Sequence, residues 1–374
     1  MAEYLTNTAE LTAVANAIRE KGGTSEQLAC PDGFVAAIQA IQTGVPLQIA
    51  VATNAGATVT ATKGSKTVSG TADASGNCTL TVDEAGTWTV TAATASTTKT
   101  SDVVVGISNV DLVLADSVLN NNSWETIKKV SDAGQGENYW SIGDRKEVTL
   151  NGTVGHLSLS NYTTYAFIIG FNHNASVEGA NRIHFQLAKT ALSGGKDVCL
   201  CDKSYDSIVS TTGYFSMNSS RTNSGGWKSS QMRTKICGTS LSSYSGTIIA
   251  VIPAALRAVL KSVTKYTDNT GNSSTSASAV TATTDYFFLL SEFEVFGRRK
   301  YANSNEKSKQ AQYAYYSAGN SKIKYKHDGT STAAYWWLRT PNAATSTGFA
   351  YVDTGGTVNA DGGYSLGFAP GFCV

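Results

Sequence analysis

The chain has 374 residues, which exceeds the size of one ordinary hydrophobic core and is typical of two or three domains. Its 29 Lys and Arg residues nearly balance its 28 Asp and Glu residues, which excludes a global charge that would steer it toward nucleic acid or an anionic membrane. Charged residues make up only 15% of the chain, and Gly, Ser, Thr, Ala and Asn are abundant, which favours short strands and turns over long helices. We therefore predict a mainly β protein with some α-helix, of the α+β class.

The sequence carries no sign of a targeting or membrane segment. The first seven residues lack a basic region followed by an apolar run, and no stretch approaches the roughly 18 apolar residues that a membrane span requires. We therefore expect synthesis in a cytosol and no membrane insertion. In that compartment the six cysteines are expected to be reduced thiols.

Residues 1–45 are predicted to form a small helical module. A first helix is indicated after the capping candidates Asn7 and Thr8, with Gly22-Gly23 as its stop. Its apolar residues recur at helical spacings: Leu11, Val14, Ala15 and Ile18. A second short helix is predicted over residues 34–41. Helices this short do not bury their apolar faces alone, so we expect the module to anchor or oligomerise the chain.

Residues 46–106 change to a period of two, in which apolar and polar residues alternate. Turn clusters such as residues 73–77 and 83–86 separate the alternating runs. This spacing predicts a small immunoglobulin-like β-sandwich. Such modules mostly hold another domain away from a base, so a spacer role is expected.

Residues 107–374 are predicted to form one larger domain of mixed strands, helices and polar loops. The predicted helices are Trp124–Ala133 and Ala254–Val263, the predicted buried strands are Tyr165–Phe171 and Tyr286–Leu290, and a polar, mobile loop is expected over residues 267–284.

Common catalytic and metal motifs are missing from the sequence. It has no Gly-x-Ser-x-Gly nucleophile elbow, no phosphate-binding glycine loop and no His-Glu-x-x-His helix. Its four histidines lack ligand spacing, and Cys199 and Cys201 lack two further ligands nearby. We therefore predict no enzyme, no catalytic residue, no metal ligand and no cofactor, and leave calcium open.

Two stretches leave alternatives. Glu292 and Glu294 lie on one side of a predicted strand, as in a glycosidase acid–base pair, but we favour a solvated strand face. Residues 298–326 interleave basic and tyrosine side chains, which suits a grip on single-stranded nucleic acid or an anionic wall polymer. We favour an insertion whose tyrosines pack against the core and whose lysines keep it soluble, and therefore predict no nucleic-acid partner.

Several motifs resemble a domain family of gut Firmicutes and their phages, over roughly residues 115–374. They are Trp124–Val130, Tyr139–Asp144, Phe288–Gly297, Tyr335–Pro341 and Gly367–Val374. Members of this family are similar to the variable proteins of diversity-generating retroelements, which display a hypervariable patch on a C-type-lectin fold. Residues 17–23 with 31–34 also resemble a helical module at the start of phage structural proteins. The resemblance implies a C-type-lectin-like fold for residues 107–374.

The resemblance makes a prediction about codons. Retroelement mutagenesis replaces adenines, mostly in AAC or AAT codons, so a diversified codon ends in a pyrimidine and does not encode Lys, Gln, Glu, Met or Trp. None of these five residues occurs between Pro341 and Cys373, although they are common in the rest of the chain. A variable region over residues 340–366 is therefore expected, and an ordinary polar β-hairpin is the alternative.

Small polar and aromatic residues of this region suit an adaptable contact surface on a rigid frame. The predicted ligand-contacting residues are Thr340, Asn342, Ala343, Ala344, Thr345, Thr347, Phe349, Tyr351, Asp353, Thr357, Asn359, Asp361 and Tyr364. The predicted scaffold beneath them comprises Trp336, Trp337, Arg339 and Phe368.

The resemblance implies a receptor-binding protein of a phage tail, made in the host cytoplasm and carried on the virion. Its expected partners are a host bacterial surface protein or glycan, other tail components and further copies of itself, as in a trimer. A fixed-sequence adhesin or glycan-binding lectin on a bacterial cell surface is the first alternative. A lectin-fold oxidase or glycosidase is the second.

Overall fold

The computed structural model describes residues 8–22, 47–105 and 110–374. The protein is mainly β with some helix, as the composition predicts. Helix α1 (Thr8–Gly22) begins and ends where its caps and glycines predict, with Ala15 and Ile18 buried. The second predicted helix, over residues 34–41, lies outside the described residues. Within the described ranges, no helix has the length and apolarity needed to span a membrane.

Seven strands form a β-sandwich of two sheets, in the orders β4-β1-β7 and β3-β2-β5-β6. The strands are β1 (Leu47–Ala52), β2 (Thr58–Lys63), β3 (Lys66–Thr71), β4 (Asn77–Val82), β5 (Gly86–Ala93), β6 (Thr98–Val105) and β7 (Val110–Val113). Alternate residues of β4 are buried, so the period of two in the sequence marks the core face. The last strand lies beyond the predicted boundary at residue 106 and pairs in parallel with β1.

The sandwich packs against helix α2 (Trp124–Asp132) of the C-terminal domain, a helix that begins where the sequence predicts. Ser123 caps α2 by accepting the Thr126 N–H at 3.0 Å. The Thr126 hydroxyl donates to the Thr53 carbonyl at 3.1 Å, and Asn54 Oδ1 accepts the Ser123 N–H at 3.1 Å. The α2 cap therefore fixes the sandwich to the domain that follows it.

The other helices of the C-terminal domain are short. They are α3 (Gly136–Tyr139), α4 (Ala175–Glu178), α5 (Gly226–Ser229), α6 (Ile248–Val251), α7 (Ala254–Val259), α8 (Glu292–Phe296) and α9 (Ala314–Ser317), with 3-10 turns at Leu119–Asn121, Ala277–Ala279 and Ser304–Ser308 and a π-helical turn at Met232–Cys237. Helix α7 ends four residues before its predicted end, because the backbone becomes extended at Leu260 and the Lys261 N–H donates to the Cys373 carbonyl at 2.9 Å.

A five-stranded sheet forms the centre of the C-terminal domain, in the order β14-β20-β10-β9-β8. Its strands are β8 (Arg145–Val154), β9 (Leu157–Phe171), β10 (Ile183–Lys189), β14 (Phe287–Phe288) and β20 (Gly371–Cys373). Every residue of β10 is buried, and β9 contains the predicted strand at residues 165–171. The strand predicted over residues 286–290 is reduced to the two residues of β14.

Three smaller sheets complete the domain. They comprise β11 (Val198–Cys199) with β15 (Lys324–Lys326) and β16 (Gly329–Ala334), β12 (Val263–Asp268) with β13 (Val280–Asp285), and β17 (Trp336–Pro341) with β18 (Phe349–Val352) and β19 (Val358–Asp361). The loop predicted over residues 267–284 is shorter in the structure, because residues 267–268 belong to β12 and residues 280–284 to β13, which leaves residues 269–279 as the connection. This connection is held by the Asp268 carboxylate, which accepts the Thr270 and Gly271 N–H groups at 2.9 Å each.

Candidate ligand-binding surface

The sheet β17-β18-β19 presents the predicted variable region. In its antiparallel register Tyr351 lies opposite Trp337 on one side and Asn359 on the other. The Tyr351 ring meets the Trp337 ring edge to face, with centroids 5.8 Å apart. The buried tryptophan therefore sets the orientation of a half-buried tyrosine on the outer face.

The loop between β17 and β18, residues 342–348, is held from below by Asn223. This side chain is fully buried, and its amide donates to the carbonyls of Asn342, Thr345 and Gly348 at 3.1, 2.8 and 3.0 Å. The Asn223 backbone N–H adds a bond to the Ser346 carbonyl at 2.9 Å. The loop backbone is therefore fixed while its side chains at residues 344–347 are exposed.

A pocket of about 220 Å³ opens beside this sheet, and we call it the tyrosine pocket. Three tyrosines, two aspartates and one leucine line it: Asp206, Tyr335, Tyr351, Asp361, Tyr364 and Leu366. Tyr335 and Tyr351 meet at 87° with centroids 5.8 Å apart, so the two rings form a corner. Aromatic rings with a few carboxylates in a concave site are typical of a ligand-binding pocket.

The walls of the tyrosine pocket come from segments that are far apart in the sequence. The Asp206 N–H donates to the Ser365 carbonyl at 2.7 Å, and the Ser365 N–H donates to the Ser207 carbonyl at 3.1 Å. This pairing lays residues 205–209 alongside residues 363–365. Tyr335 is fixed from both sides, because its N–H donates to the Tyr205 hydroxyl at 2.7 Å and its carbonyl accepts the Gly367 N–H at 2.8 Å.

Beneath the tyrosine pocket, the buried carboxylate of Asp202 ties its walls to the core. It accepts the Ser365 hydroxyl at 2.7 Å and the Phe215 N–H at 2.5 Å. The Phe215 carbonyl in turn accepts the Trp337 indole N–H at 2.8 Å and the Leu366 N–H at 3.1 Å. The frame of the pocket is thus preorganised by hydrogen bonds among buried groups.

The two aspartates of the tyrosine pocket differ in their partners. Asp361 forms an ion pair with Arg221 at 3.0 Å and accepts the Gly362 N–H at 2.6 Å. Asp206 is exposed, and its carboxylate has no ion pair within the described residues. Burial raises the pKa of Tyr351 to about 12, and the negative charge of Asp361 is the second cause of this shift. The phenol is therefore neutral at physiological pH.

A second pocket, of about 340 Å³, adjoins the turn between β18 and β19. It is lined by Phe296, Arg298, Lys300, Lys322 and residues 356–358. The Lys300 ammonium donates to the Val358 carbonyl at 3.4 Å. We call it the basic pocket, and its charge is opposite to that of the tyrosine pocket.

The structure corrects three of the predicted ligand-contacting residues. Thr340, Asn342 and Phe349 are buried, with 0, 8 and 0% of their surfaces exposed. Thr340 uses its hydroxyl to accept the Glu292 N–H at 2.9 Å, and Asn342 Oδ1 accepts the Ala344 N–H at 2.9 Å. These three residues belong to the interior because Thr340 and Phe349 lie in strands with buried inner faces and Asn342 closes the loop.

The other ten predicted contact residues are exposed or half-buried: Ala343, Ala344, Thr345, Thr347, Tyr351, Asp353, Thr357, Asn359, Asp361 and Tyr364. Besides Tyr351 and Asp361, two of them also have structural partners. Asp353 closes the β18–β19 turn by accepting the Gly355 and Thr357 N–H groups at 3.0 and 2.9 Å, and Asn359 accepts the Tyr301 hydroxyl at 3.1 Å. Sequence reasoning missed Asp206, Tyr335, Leu366 and the supporting Asn223.

The predicted scaffold residues Trp336, Trp337, Arg339 and Phe368 are all fully buried. Arg339 donates both terminal nitrogens to the carboxylate of Glu294, one of them at 2.8 Å, and its Nε donates to the Thr267 hydroxyl at 2.8 Å. Burial raises the pKa of Glu294, but Arg339 and Lys265 outweigh it and hold that pKa well below its ordinary value. A permanently charged pair therefore anchors β17 to α8.

Both interpretations of the Glu292 and Glu294 pair were wrong. The segment is a helix, α8, that begins with a Ser291–Glu294 capping box, and both glutamates are fully buried. The Glu292 carboxylate accepts the N–H groups of Lys300, Tyr301 and Ala302, the last at 2.7 Å. Neither a solvated strand face nor a glycosidase pair fits these partners, because both carboxylates are occupied by the protein itself.

One buried grouping, His173, Glu178 and Glu294, has donor atoms within 4.8 Å of one another. The Lys265 ammonium already lies in it, donating to Glu178 at 2.5 Å and to Glu294 at 3.0 Å. Calcium takes six to eight oxygen ligands, and a cation here would meet Lys265 and Arg339. The donor set therefore does not suit a calcium ion.

The packing interpretation of the basic and aromatic stretch 298–326 fits in part, because three of its tyrosines are buried but one of its lysines, Lys324, is buried as well. Tyr313, Tyr315 and Tyr316 are buried in the core, and the Tyr313 hydroxyl accepts the Lys265 ammonium at 2.9 Å. A grip on nucleic acid needs exposed aromatic faces, which these three residues do not offer.

The cysteines of the described residues are free and buried: Cys78, Cys199, Cys201, Cys237 and Cys373. The Sγ atoms of Cys199 and Cys201 lie 3.9 Å apart. The contact with Cys199, together with burial, raises the pKa of the Cys201 thiol well above its usual range, which disfavours the reactive thiolate.

Comparisons with known proteins cover the C-terminal part of the chain. A family described as "Domain of unknown function (DUF6273)" matches residues 203–374. No curated protein matches the sequence. The matched range contains every residue that lines the tyrosine pocket and the basic pocket.

Proposed function

We propose that this chain is a receptor-binding display protein of the phage tail-fibre or tail-tip type. It binds a protein or glycan on the surface of a host bacterium through the tyrosine pocket and the adjacent exposed residues of loop 342–348 and of β18–β19. The resemblance to variable proteins of diversity-generating retroelements supports this proposal, and a C-type-lectin-like fold for the C-terminal domain is part of it.

One observation carries the proposal: a recessed aromatic and acidic pocket opens on the segment that lacks Lys, Gln, Glu, Met and Trp. Four of the six residues that line the pocket belong to that segment: Tyr351, Asp361, Tyr364 and Leu366. Buried Trp337, Asp202 and Asn223 hold the backbone beneath them. Side chains on this surface are therefore exchangeable without loss of the frame, which is what recognition of changing receptors requires.

The remaining modules fit a distal presentation of this surface. The sandwich holds the C-terminal domain through the α2 cap, and the N-terminal module joins the chain to other tail components on the virion. Assembly into a homo-oligomer such as a trimer adds avidity to a weak single site. Receptor binding in this form requires neither a cofactor nor nucleic acid.

Binding of the labelled full-length chain to a panel of Firmicutes strains, measured by flow cytometry, tests the proposal. We expect saturable binding to at least one strain, and at least a tenfold loss for the Tyr351→Ala/Tyr364→Ala double variant, because the pocket loses two of its three rings. The matched control is Tyr244→Ala, a half-buried tyrosine that packs on Arg257 and does not line the pocket. Equal binding by the double variant and the wild type would contradict the proposal.

A further inference from the structure

The tyrosine pocket combines two kinds of groups that attract a positive charge. Three tyrosine rings offer faces with negative potential, and Asp206 and Asp361 add carboxylates. None of the six described residues that line the pocket is basic. Arg221 pairs with Asp361, and Asp206 has no ion pair among the described residues.

The arrangement of the rings distinguishes between ligand shapes. A pyranose is a puckered ring whose C–H groups form an apolar face, and that face stacks best on a single exposed aromatic ring. Tyr335 and Tyr351 instead meet at 87°, and Tyr351 is itself braced edge to face by Trp337 at 89°. A corner of perpendicular rings surrounds a compact, rounded group from two sides, as in the aromatic cages that bind ammonium ions.

The position of Asp206 supports the same ligand class. Its backbone adopts a left-handed conformation, with φ of 65°, and its N–H is fixed to the Ser365 carbonyl at 2.7 Å. This conformation is uncommon for a residue other than glycine and is held here by the pairing of residues 205–209 with 363–365. The backbone of Asp206 is thus fixed in the pocket wall, and its exposed side chain can balance a bound charge.

We propose that the tyrosine pocket binds an organic ammonium group carried by a bacterial surface polymer. The ring corner of Tyr335 and Tyr351 takes the ammonium, Tyr364 closes a third side, and Asp206 supplies the counter-charge. This inference rests on the proposed receptor-binding function and names the chemistry that the same site recognises. Quaternary ammonium, as in choline, and primary ammonium, as in ethanolamine or an aminoacyl ester, share this chemistry.

Calorimetric titration of the full-length chain tests the inference with three small probes. Choline carries a quaternary ammonium, ethanolamine a primary ammonium, and 3,3-dimethyl-1-butanol is the neutral isostere of choline. We expect saturable binding of choline or ethanolamine that is about tenfold tighter than binding of the neutral alcohol. The amine that binds more tightly shows whether the surface polymer carries a quaternary or a primary ammonium group. Either result supports recognition of an ammonium group.

Variants assign the binding to the pocket. Asp206→Asn, at an exposed position, is expected to weaken ammonium binding several-fold, and the matched Glu137→Gln, also at an exposed position, to leave it unchanged. Tyr351→Phe keeps the ring and is expected to retain binding, whereas Tyr351→Ala loses it. Equal affinity for choline and its neutral isostere, or no saturable binding of either amine, would overturn the inference.

The two proposals fail in different ways. In one outcome, cell binding depends on Tyr351 but the protein has no affinity for choline or ethanolamine. This result overturns the ammonium inference and leaves the proposed receptor binding in place. A second outcome is that Asp206→Asn loses ammonium binding but binds cells as the wild type does. This result would separate the pocket from receptor recognition, and it would overturn the inference as well.

Discussion

Asn223 supports the contact surface through one buried amide. Its Nδ2 reaches three carbonyls of loop 342–348, and its Oδ1 accepts the Asn272 N–H at 2.8 Å. The residue therefore connects Asn272 to loop 342–348, which lies more than a hundred positions after Asn223 in the sequence. Loss of this amide leaves several buried groups without partners.

We predict that Asn223→Ala destabilises the protein by roughly 1–3 kcal/mol, because buried carbonyls lose their donor. Chemical denaturation followed by tryptophan fluorescence measures this change. The matched control is Asn359→Ala, an exposed asparagine of β19, which is expected to change stability by less than about 0.5 kcal/mol. Similar stability of the two variants would mean that Asn223 does not hold the loop.

Lys324 has a buried ammonium group whose charge is only weakly balanced by neighbouring groups. Its Nζ has no hydrogen-bond partner among the residues that the structure describes. It lies 4.0 Å from Asp197 and stands over the rings of Trp336 and Phe167 at 5.1 and 5.4 Å. Burial lowers the pKa of Lys324 to about 8, against the opposing effect of Asp197. Asp197 keeps a second partner, Lys189.

We predict that Lys324→Met stabilises the protein at pH 7 by roughly 1–3 kcal/mol, because the variant removes the cost of burying a charge. The pKa of Lys324 is about 8 in the folded state and about 10.4 in the unfolded state. The wild type is therefore most stable above about pH 10.4, where Lys324 is neutral in both states, and it loses stability as the pH falls through about 8. The advantage of the variant should therefore shrink as pH rises from 7 to 10. Unfolding curves at both values measure it, and a constant difference would contradict the assignment.

Residues of the pocket could be predicted from the sequence only where they lie together in one continuous segment. Tyr351, Asp361 and Tyr364 lie in the region without Lys, Gln, Glu, Met and Trp, and all three line the pocket. Asp206 comes from more than a hundred residues earlier, and its pairing with Ser365 has no local pattern that predicts it. Burial of Thr340, Asn342 and Phe349 was missed because small polar and aromatic residues occur on both faces of a sheet.

At the scale of elements, Gly362 sets the distance between loop 342–348 and the end of β19. A Cβ at this position would lie 1.5 Å from the Thr347 carbonyl oxygen, closer than any real contact. The clash is with backbone, so relief requires movement of the loop itself. Glycine is therefore required here by close approach.

We predict that Gly362→Ala costs roughly 1–3 kcal/mol of stability and lowers receptor binding, since loop 342–348 must shift away from the end of β19, where Asp361 lines the pocket. The matched control is Gly355→Ala in the β18–β19 turn, whose added Cβ would meet only Asp353 Oδ1 at 3.4 Å. Thermal unfolding and cell binding check both variants. Wild-type behaviour of Gly362→Ala would show that loop position is not fixed by this contact.

Elements with a clear period or cap were predictable, and others were not. Helices α1 and α2, the alternating strands of the sandwich and strand β9 follow the sequence patterns. Helix α8 was taken for a strand because its apolar residues alternate with glutamates, although Ser291 and Glu294 form a capping-box signal. The β12–β13 hairpin was missed because its Thr, Ser and Asn residues are also typical of loops.

At the scale of the whole molecule, the buried Arg339–Glu294 pair, the Asp202 anchor and the five-stranded sheet form a frame beneath one exposed surface. The mainly β composition predicted this class of architecture. It did not predict how the short C-terminal strand β20 enters the central sheet between β10 and β14, because that pairing joins segments almost two hundred residues apart. Diversity of the surface is compatible with such a frame only if substitutions avoid the buried positions.

Sequencing the gene in sibling phages or strains tests this central claim most directly. Diversification predicts substitutions at Ala343, Ala344, Thr345, Thr347, Thr357 and Asn359, all exposed or half-buried, together with a nearby template repeat and a reverse-transcriptase gene. The buried Thr340, Asn342 and Phe349 should stay constant with Trp337 and Arg339. An invariant segment with no template repeat would contradict diversification and favour the fixed-sequence adhesin, and substitutions spread equally over buried and exposed positions would contradict the frame.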